Sequence, residues 1–222
     1  HHKPMTIRFA EITKLGEIVN ESELDGSTCD CCQTSITNTK NGPVIVYRDR
    51  SDAEIRDIYI TRSVNGIWST PKAVNDDNWK INGCPVNGPK VISNENDIAV
   101  AWFTAADNAP TVNVAFSSNL GESFNNPIKI NDAETIGRVD VAYITKDEVL
   151  VSYMEVVNEE TFLKCKKVHK NGTVSEAITI SKIDGSRSTG VPQLEVFNNE
   201  VFVVWTTTID EKQQLKSVKF NL

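Results

Sequence analysis

Val44-Ile45-Val46-Tyr47, Ala99-Val100-Ala101-Trp102, Leu150-Val151-Ser152-Tyr153 and Phe202-Val203-Val204-Trp205 are four versions of one stretch, an apolar run closed by an aromatic ring. The rings stand 55, 51 and 52 residues apart. Glycines keep the same step: Gly16, Gly66, Gly121 and Gly172 sit in polar turns spaced by 50, 55 and 51 residues. Short runs rich in β-branched and aromatic residues, bounded by Gly, Asn, Asp and Pro, read as strands. A repeat of about 50 residues made of short strands is the step of a β-propeller, one four-stranded blade per unit.

Outward from these runs, the chain of 222 residues divides into a half unit over 1–20, full units over 33–75, 88–131 and 139–181, and a last unit over 190–222 that lacks its fourth strand. Within the first full unit the strands A to D fall near 33–38, 43–48, 55–62 and 71–75. The opening segments, 6–12 and 17–20, read as strands C and D of a unit whose A and B are missing. Propellers usually close by pairing strands from the two termini. These ends do not complement each other, which predicts an incomplete ring of about four to five blades from a six-bladed parent. The missing N-terminal blades could then be a separate chain. A small self-contained ring is the alternative.

Composition works by exclusion. The net charge of −7 argues against nucleic acid and anionic membrane as partners, because both select basic surfaces. No apolar run approaches the roughly 20 residues that cross a bilayer as a helix. Histidine occurs three times, twice at the N-terminus and once at His169, so a Ser-His-Asp triad, an HExxH zinc site or a three-histidine site is close to excluded.

Several turns and loops carry a family resemblance. Ser117-Ser118-Asn119-Leu120-Gly121-Glu122-Ser123-Phe124 resembles the Asp-box of sialidase-type propellers with Asn for Asp, and Ser63-Val64-Asn65-Gly66-Ile67-Trp68 resembles a shortened one. The loops Cys29-Asp30-Cys31-Cys32-Gln33-Thr34, Tyr47-Arg48-Asp49-Arg50, Glu54-Ile55-Arg56-Asp57 and Gly137-Arg138-Val139-Asp140, with the stretch from Trp79 to Pro89, are similar to those of bacterial sialidase-like (exo-α-sialidase) proteins. The resemblance covers nearly the whole chain as a C-terminal part. It implies an exported, periplasmic or extracellular, protein directed at acidic glycans.

In a propeller the D-to-A and B-to-C loops share one face, where a ligand would bind. Sorted by that rule, the D-to-A loops hold Cys29, Cys31, Cys32, Trp79, Cys84, Arg138, Asp140, Arg187 and Gln193. The B-to-C loops hold Arg48, Asp49, Arg50, Glu54, Glu155 and Asp210. A hydrolase of the resembled kind needs arginines for the sugar carboxylate, a nucleophile and an acid/base. Arg48, Arg50, Arg138 and Arg187 are the candidates to bind it, since a guanidinium fork matches a carboxylate. Trp79 is a candidate to stack on a sugar ring, and Gln193 to hydrogen-bond one. Asp49, Asp140 and Glu155 are the candidate acid/base groups. Tyr47, Tyr59, Tyr143 and Tyr153 lie within strands and read as packing residues.

The cysteines admit three readings. Cys29, Cys31, Cys32 and Cys84 lie in consecutive D-to-A loops, so neighbouring blades bring them together. They could form disulfides, a thiolate site for zinc or copper, or packed thiols. Cys165 reads as a lone buried thiol. No other cofactor is expected. Beside the glycan reading stand a non-catalytic scaffold propeller and a metal-dependent role at the cysteine group.

Overall fold

A computed structural model describes residues 4–209 and 212–222; His1, His2, Lys3, Asp210 and Glu211 lie outside the described residues, and with them the site candidate Asp210. The described chain is all-β apart from two short 3-10 turns. Every sheet is an antiparallel meander in chain order. A hairpin of β1 (Met5–Ile12) and β2 (Ile18–Thr28) comes first. The next sheet holds β3 (Ser35–Thr39), β4 (Gly42–Arg48), β5 (Ile58–Val64), β6 (Ile67–Trp68) and β7 (Lys72–Ala73). It is followed by β8 (Lys90–Asn94), β9 (Asp97–Thr104), β10 (Thr111–Ser117) and β11 (Ile128–Lys129). The second four-stranded sheet is β12 (Glu134–Thr145), β13 (Glu148–Val157), β14 (Glu160–His169) and β15 (Ile178–Lys182). The last sheet has three strands, β16 (Gln193–Phe197), β17 (Glu200–Ile209) and β18 (Lys212–Asn221).

Two strands differ from the sequence reading. β2 runs on to Thr28 instead of ending near Asn20, and its far end bridges to Asp49 through Thr28. The fourth strand of the first full sheet is split: β6 pairs Ile67 and Trp68 with Val64 and Ser63, while β7 pairs Lys72 and Ala73 with Ile60 and Tyr59. Pro71 stands in the gap and has no N–H to give the ladder, so that sheet counts five strands, not four.

The repeated aromatic runs are β4, β9, β13 and β17, the second strand of each sheet, and Tyr47, Trp102, Tyr153 and Trp205 are all buried. Alternation along these strands builds a core between each pair of successive sheets. On β9, Ile98, Val100 and Trp102 pack towards β4 and β5, while Ala99, Ala101 and Phe103 pack towards β12 and β13. On β13, Val149, Val151 and Tyr153 face one way, and Leu150 and Met154 the other, against Leu194, Val201 and Val203. First strands lie side by side: β3 touches β8, β8 touches β12, and β12 touches β16. Sheets therefore stack face to face around their first strands. The turn over 117–124 is closed by its own side chains. Gly121 N donates to Ser117 Oγ at 2.9 Å and Ser123 N to Asn119 Oδ1 at 2.9 Å, with Gly121 at φ +80°.

Candidate functional site

The loops that join fourth to first strands, and second to third strands, gather on one side of the sheet stack and are stitched together by polar side chains. Arg48 is the centre of this stitching. It is 1 % exposed, and each of its three nitrogens donates to a carbonyl: Nε to Asn87 at 2.8 Å, Nη1 to Arg56 at 2.5 Å and Nη2 to Phe103 at 2.7 Å. Its guanidinium also lies 4.8 Å over the ring of Trp79, which packs edge-on against Phe103. Arg48 and Trp79 are thus walled in, and their geometry is that of a loop clamp, not of a sugar subsite.

The carboxylates divide in the same way. Glu155 is buried. Its Oε1 accepts from the N–H groups of Asp132 and Ala133, and its Oε2 pairs with Lys164 at 2.5 Å. Burial pushes its pKa up, yet Lys164 and the two N–H groups outweigh that and hold it low. Asp140 is buried midway along β12, opposite Ser152, accepts from Leu194 N and Val141 N, and faces Lys90 at 3.6 Å. Burial still leaves its pKa raised. Asp49 differs. Burial first, and the Asp25 carboxylate beside it second, push its pKa up to about 6, near the working range of a proton donor. Asp25 in turn accepts from the Tyr47 hydroxyl at 2.5 Å.

Two further places gather charged groups of this face. A cavity of about 580 Å³ lies between the end of β2 and the loop after β4, lined by Ser27, Asp30, Arg50, Ser51, Asp52 and Glu54 among others. Here Glu54 sits between Arg50, at 2.6 Å, and the buried Arg56, at 2.8 Å, and these hydrogen bonds lower its pKa to about 2. Arg50 is therefore committed to Glu54. The second place is where β8, β12 and β16 meet. Arg138 donates to the carbonyls of Gly190 and Ser186, and its backbone N–H to Asn87 Oδ1 at 2.8 Å. It holds φ +59°, a left-handed conformation costly to a side chain of this size. Gly137 beside it also needs positive φ, and a Cβ there would collide with Asn87 and Phe103. The exposed Arg187 donates to Cys84 O at 3.1 Å and lies near enough to Arg138 to depress its pKa, with burial the larger cause. Lys90 donates to Gln193 Oε1 at 2.9 Å.

No protein-family model matches the chain, and a search of the curated proteins returns no match. Solved structures do match. The phage phi92 endosialidase superposes on 91 % of this chain at 14 % identity with a TM-score of 0.65. An exo-β-1,3-galactanase from Clostridium thermocellum covers 96 % at 12 % identity and 0.54, and one from Phanerochaete chrysosporium covers 86 % at 18 % identity and 0.52. The likeness is one of fold: an all-β architecture whose neighbours are propeller glycosidases. The chain spans 38 %, 49 % and 48 % of these three structures respectively, less than half of each.

Within the propeller, the loop-face rule brings Arg138, Asp140, Arg187 and Gln193 into one neighbourhood, with Lys90 added. It also brings Arg50 and Asp49 to the β2 side, and gathers all four loop cysteines. Cys31 and Cys84 are disulfide-bonded, with Cα atoms 6.1 Å apart. Cys29 and Cys32 are free, 2.9 Å apart at sulfur, and Cys165 is free and buried in the core beside β17. The Cys32 thiol facing Cys29, with the Cys31 N–H and Arg56, lowers the Cys29 pKa to about 6, while Cys29 and burial push Cys32 up. Asp25 and Lys90 escaped the sequence reading. Asp25 lies beyond the expected end of β2, and Lys90 sits on a first strand where only packing was sought.

Proposed function

We propose that this propeller recognises a carboxylate-bearing glycan through Arg187 and Arg138, on the loop face above the first strands. The observation that carries the reading is geometric: Arg138 donates to the carbonyls of Ser186 and Gly190, on either side of the exposed Arg187, so two guanidinium groups are held at one loop. An incoming carboxylate relieves the repulsion between them and gains charge-assisted hydrogen bonds. Arg138 is preset for this by its strained backbone and its bonds to Asn87, Ser186 and Gly190. The endosialidase and galactanase likenesses support a carbohydrate ligand. In the hydrolase form of the reading, Asp140, two residues from Arg138 on β12 and with its pKa raised by burial, is the acid, since Asp49 lies on the β2 side. The Cys31–Cys84 disulfide favours an oxidising, exported setting.

The test measures binding of a sialylated oligosaccharide and of its desialylated counterpart to the whole protein, with hydrolysis of a fluorogenic sialoside alongside. The sialylated ligand should bind at least about tenfold tighter. Arg187→Ala should erase that difference, a loss of about 10- to 100-fold, in line with one charged hydrogen bond. Equal binding of the two ligands would sink the reading.

A further inference from the structure

Independently of the glycan reading, the four loop cysteines form a site of their own. Cys29 Sγ lies 2.9 Å from Cys32 Sγ and 3.5 Å from Cys31 Sγ, and Cys31 and Cys32 are 4.0 Å apart at sulfur. Cys84 comes from the next loop, joined to Cys31 across 53 residues of sequence, on the side of Cys31 where Asp30 also lies. Sulfurs held around one tetrahedral cation with metal–sulfur bonds of about 2.3 Å stand roughly 3.8 Å apart. Two of the three separations lie within a few tenths of that value.

Cationic groups and N–H donors stand beside these sulfurs. Arg56 Nη1 donates to Cys29 Sγ at 3.4 Å, and the N–H of Cys31 also points to that sulfur. Cys32 receives the N–H of Asn87 and faces the buried charge of Arg48. Neither arginine has a carboxylate to itself: Arg48 donates to three carbonyls and to no carboxylate, and Arg56 shares Glu54 with Arg50. Two such charges beside a cluster of sulfurs match an anionic metal–thiolate centre, whose outer partners tune its affinity.

We propose that Cys29, Cys31, Cys32 and Cys84 form a redox-gated site for one thiophilic d10 cation, Zn(II) or Cu(I), closed by the Cys31–Cys84 disulfide and opened by its reduction. In the opening step a dithiol gives two electrons and two protons. The Cys31–Cys84 bond breaks to two thiols, and the dithiol leaves as its cyclic disulfide. The cation then replaces protons on the converging thiols, which are released to solvent. With the disulfide formed, only Cys29 and Cys32 remain, too few for a closed site.

The experiment loads the whole chain under anaerobic conditions, once oxidised and once reduced by dithiothreitol and desalted. Zn(II) and Cu(I) are offered in separate arms, each against a competing chelator, and elemental analysis reads metal per chain. The reduced chain should retain about one equivalent, the oxidised chain less than about a tenth. Cys29→Ser and Cys32→Ser should each weaken retention at least tenfold, while Cys165→Ser should match the unaltered chain. Retention in one arm alone supports the site and names its cation. Equal retention by oxidised and reduced chains overturns the gate. No retention in either arm overturns the site, and because that comparison uses the unaltered sequence it does not depend on any variant folding.

Discussion

Arg48 and Arg187 lie on the same face, and the sequence offers both as ligands for a carboxylate, yet the fold uses them in opposite ways. Arg48 is buried and spends every nitrogen on a carbonyl from three different segments. Arg187 is exposed, holds one carbonyl and faces another arginine. The difference teaches that an arginine's neighbours in sequence say little about its task. Arg48 and Arg50 made their loop resemble an anion site, but the acceptors that claimed Arg48 are main-chain oxygens, of Arg56 nearby and of Asn87 and Phe103, 39 and 55 residues away.

The contrast can be broken most directly at its buried end. Arg48→Met keeps apolar volume but strands three carbonyls in the interior, and should lower the unfolding free energy by at least about 4 kcal/mol. An unchanged urea midpoint would erase the distinction from Arg187. Next comes Glu155→Gln, which leaves Lys164 facing a neutral amide. It should cost about 3 kcal/mol by urea titration, whereas a ligand-facing carboxylate would cost little.

Asp49→Asn sharpens the comparison among the carboxylates. Asp49 has its pKa raised in the fold, so its proton stabilises the folded state below the unfolded pKa near 4. That contribution is lost as pH rises through about 6. The variant should therefore gain on the unaltered protein as pH climbs from 4 to 7, by on the order of 2 kcal/mol. A difference that stays flat across this range, read from thermal unfolding, would remove the raised pKa. Smallest of all is the effect of Arg187→Ala on stability, expected within about 0.5 kcal/mol because the side chain is exposed. A larger loss would make Arg187 a second clamp.

The fold was legible because its signals are local and repeated. The runs ending at Tyr47, Trp102, Tyr153 and Trp205 carry strand propensity, burial and period at once, and the structure puts all four on second strands. Cysteine convergence was legible too, since neighbouring loops on one face must approach. What escaped depends on partners distant in sequence. The choice of Cys84 for Cys31, the capture of Asp140 by Leu194 N across 54 residues, and the meeting of Asp25 with Tyr47 follow from how loops fold over one another. No residue pattern within a blade encodes those meetings.

The Cys31–Cys84 bond closes a loop that contains the whole sheet from β3 to β7. In the loop-entropy model a closure of this size restrains the unfolded chain by about 4 kcal/mol. It also changes what a cut means. The turn at Asn65–Gly66 is exposed and is a natural place for proteolytic nicking. A break there would leave both pieces covalently attached, so a nicked molecule would run as one band without reductant and as two with it. A cut in this sheet would then leave the fold held together, and reduction would be the event that lets it go.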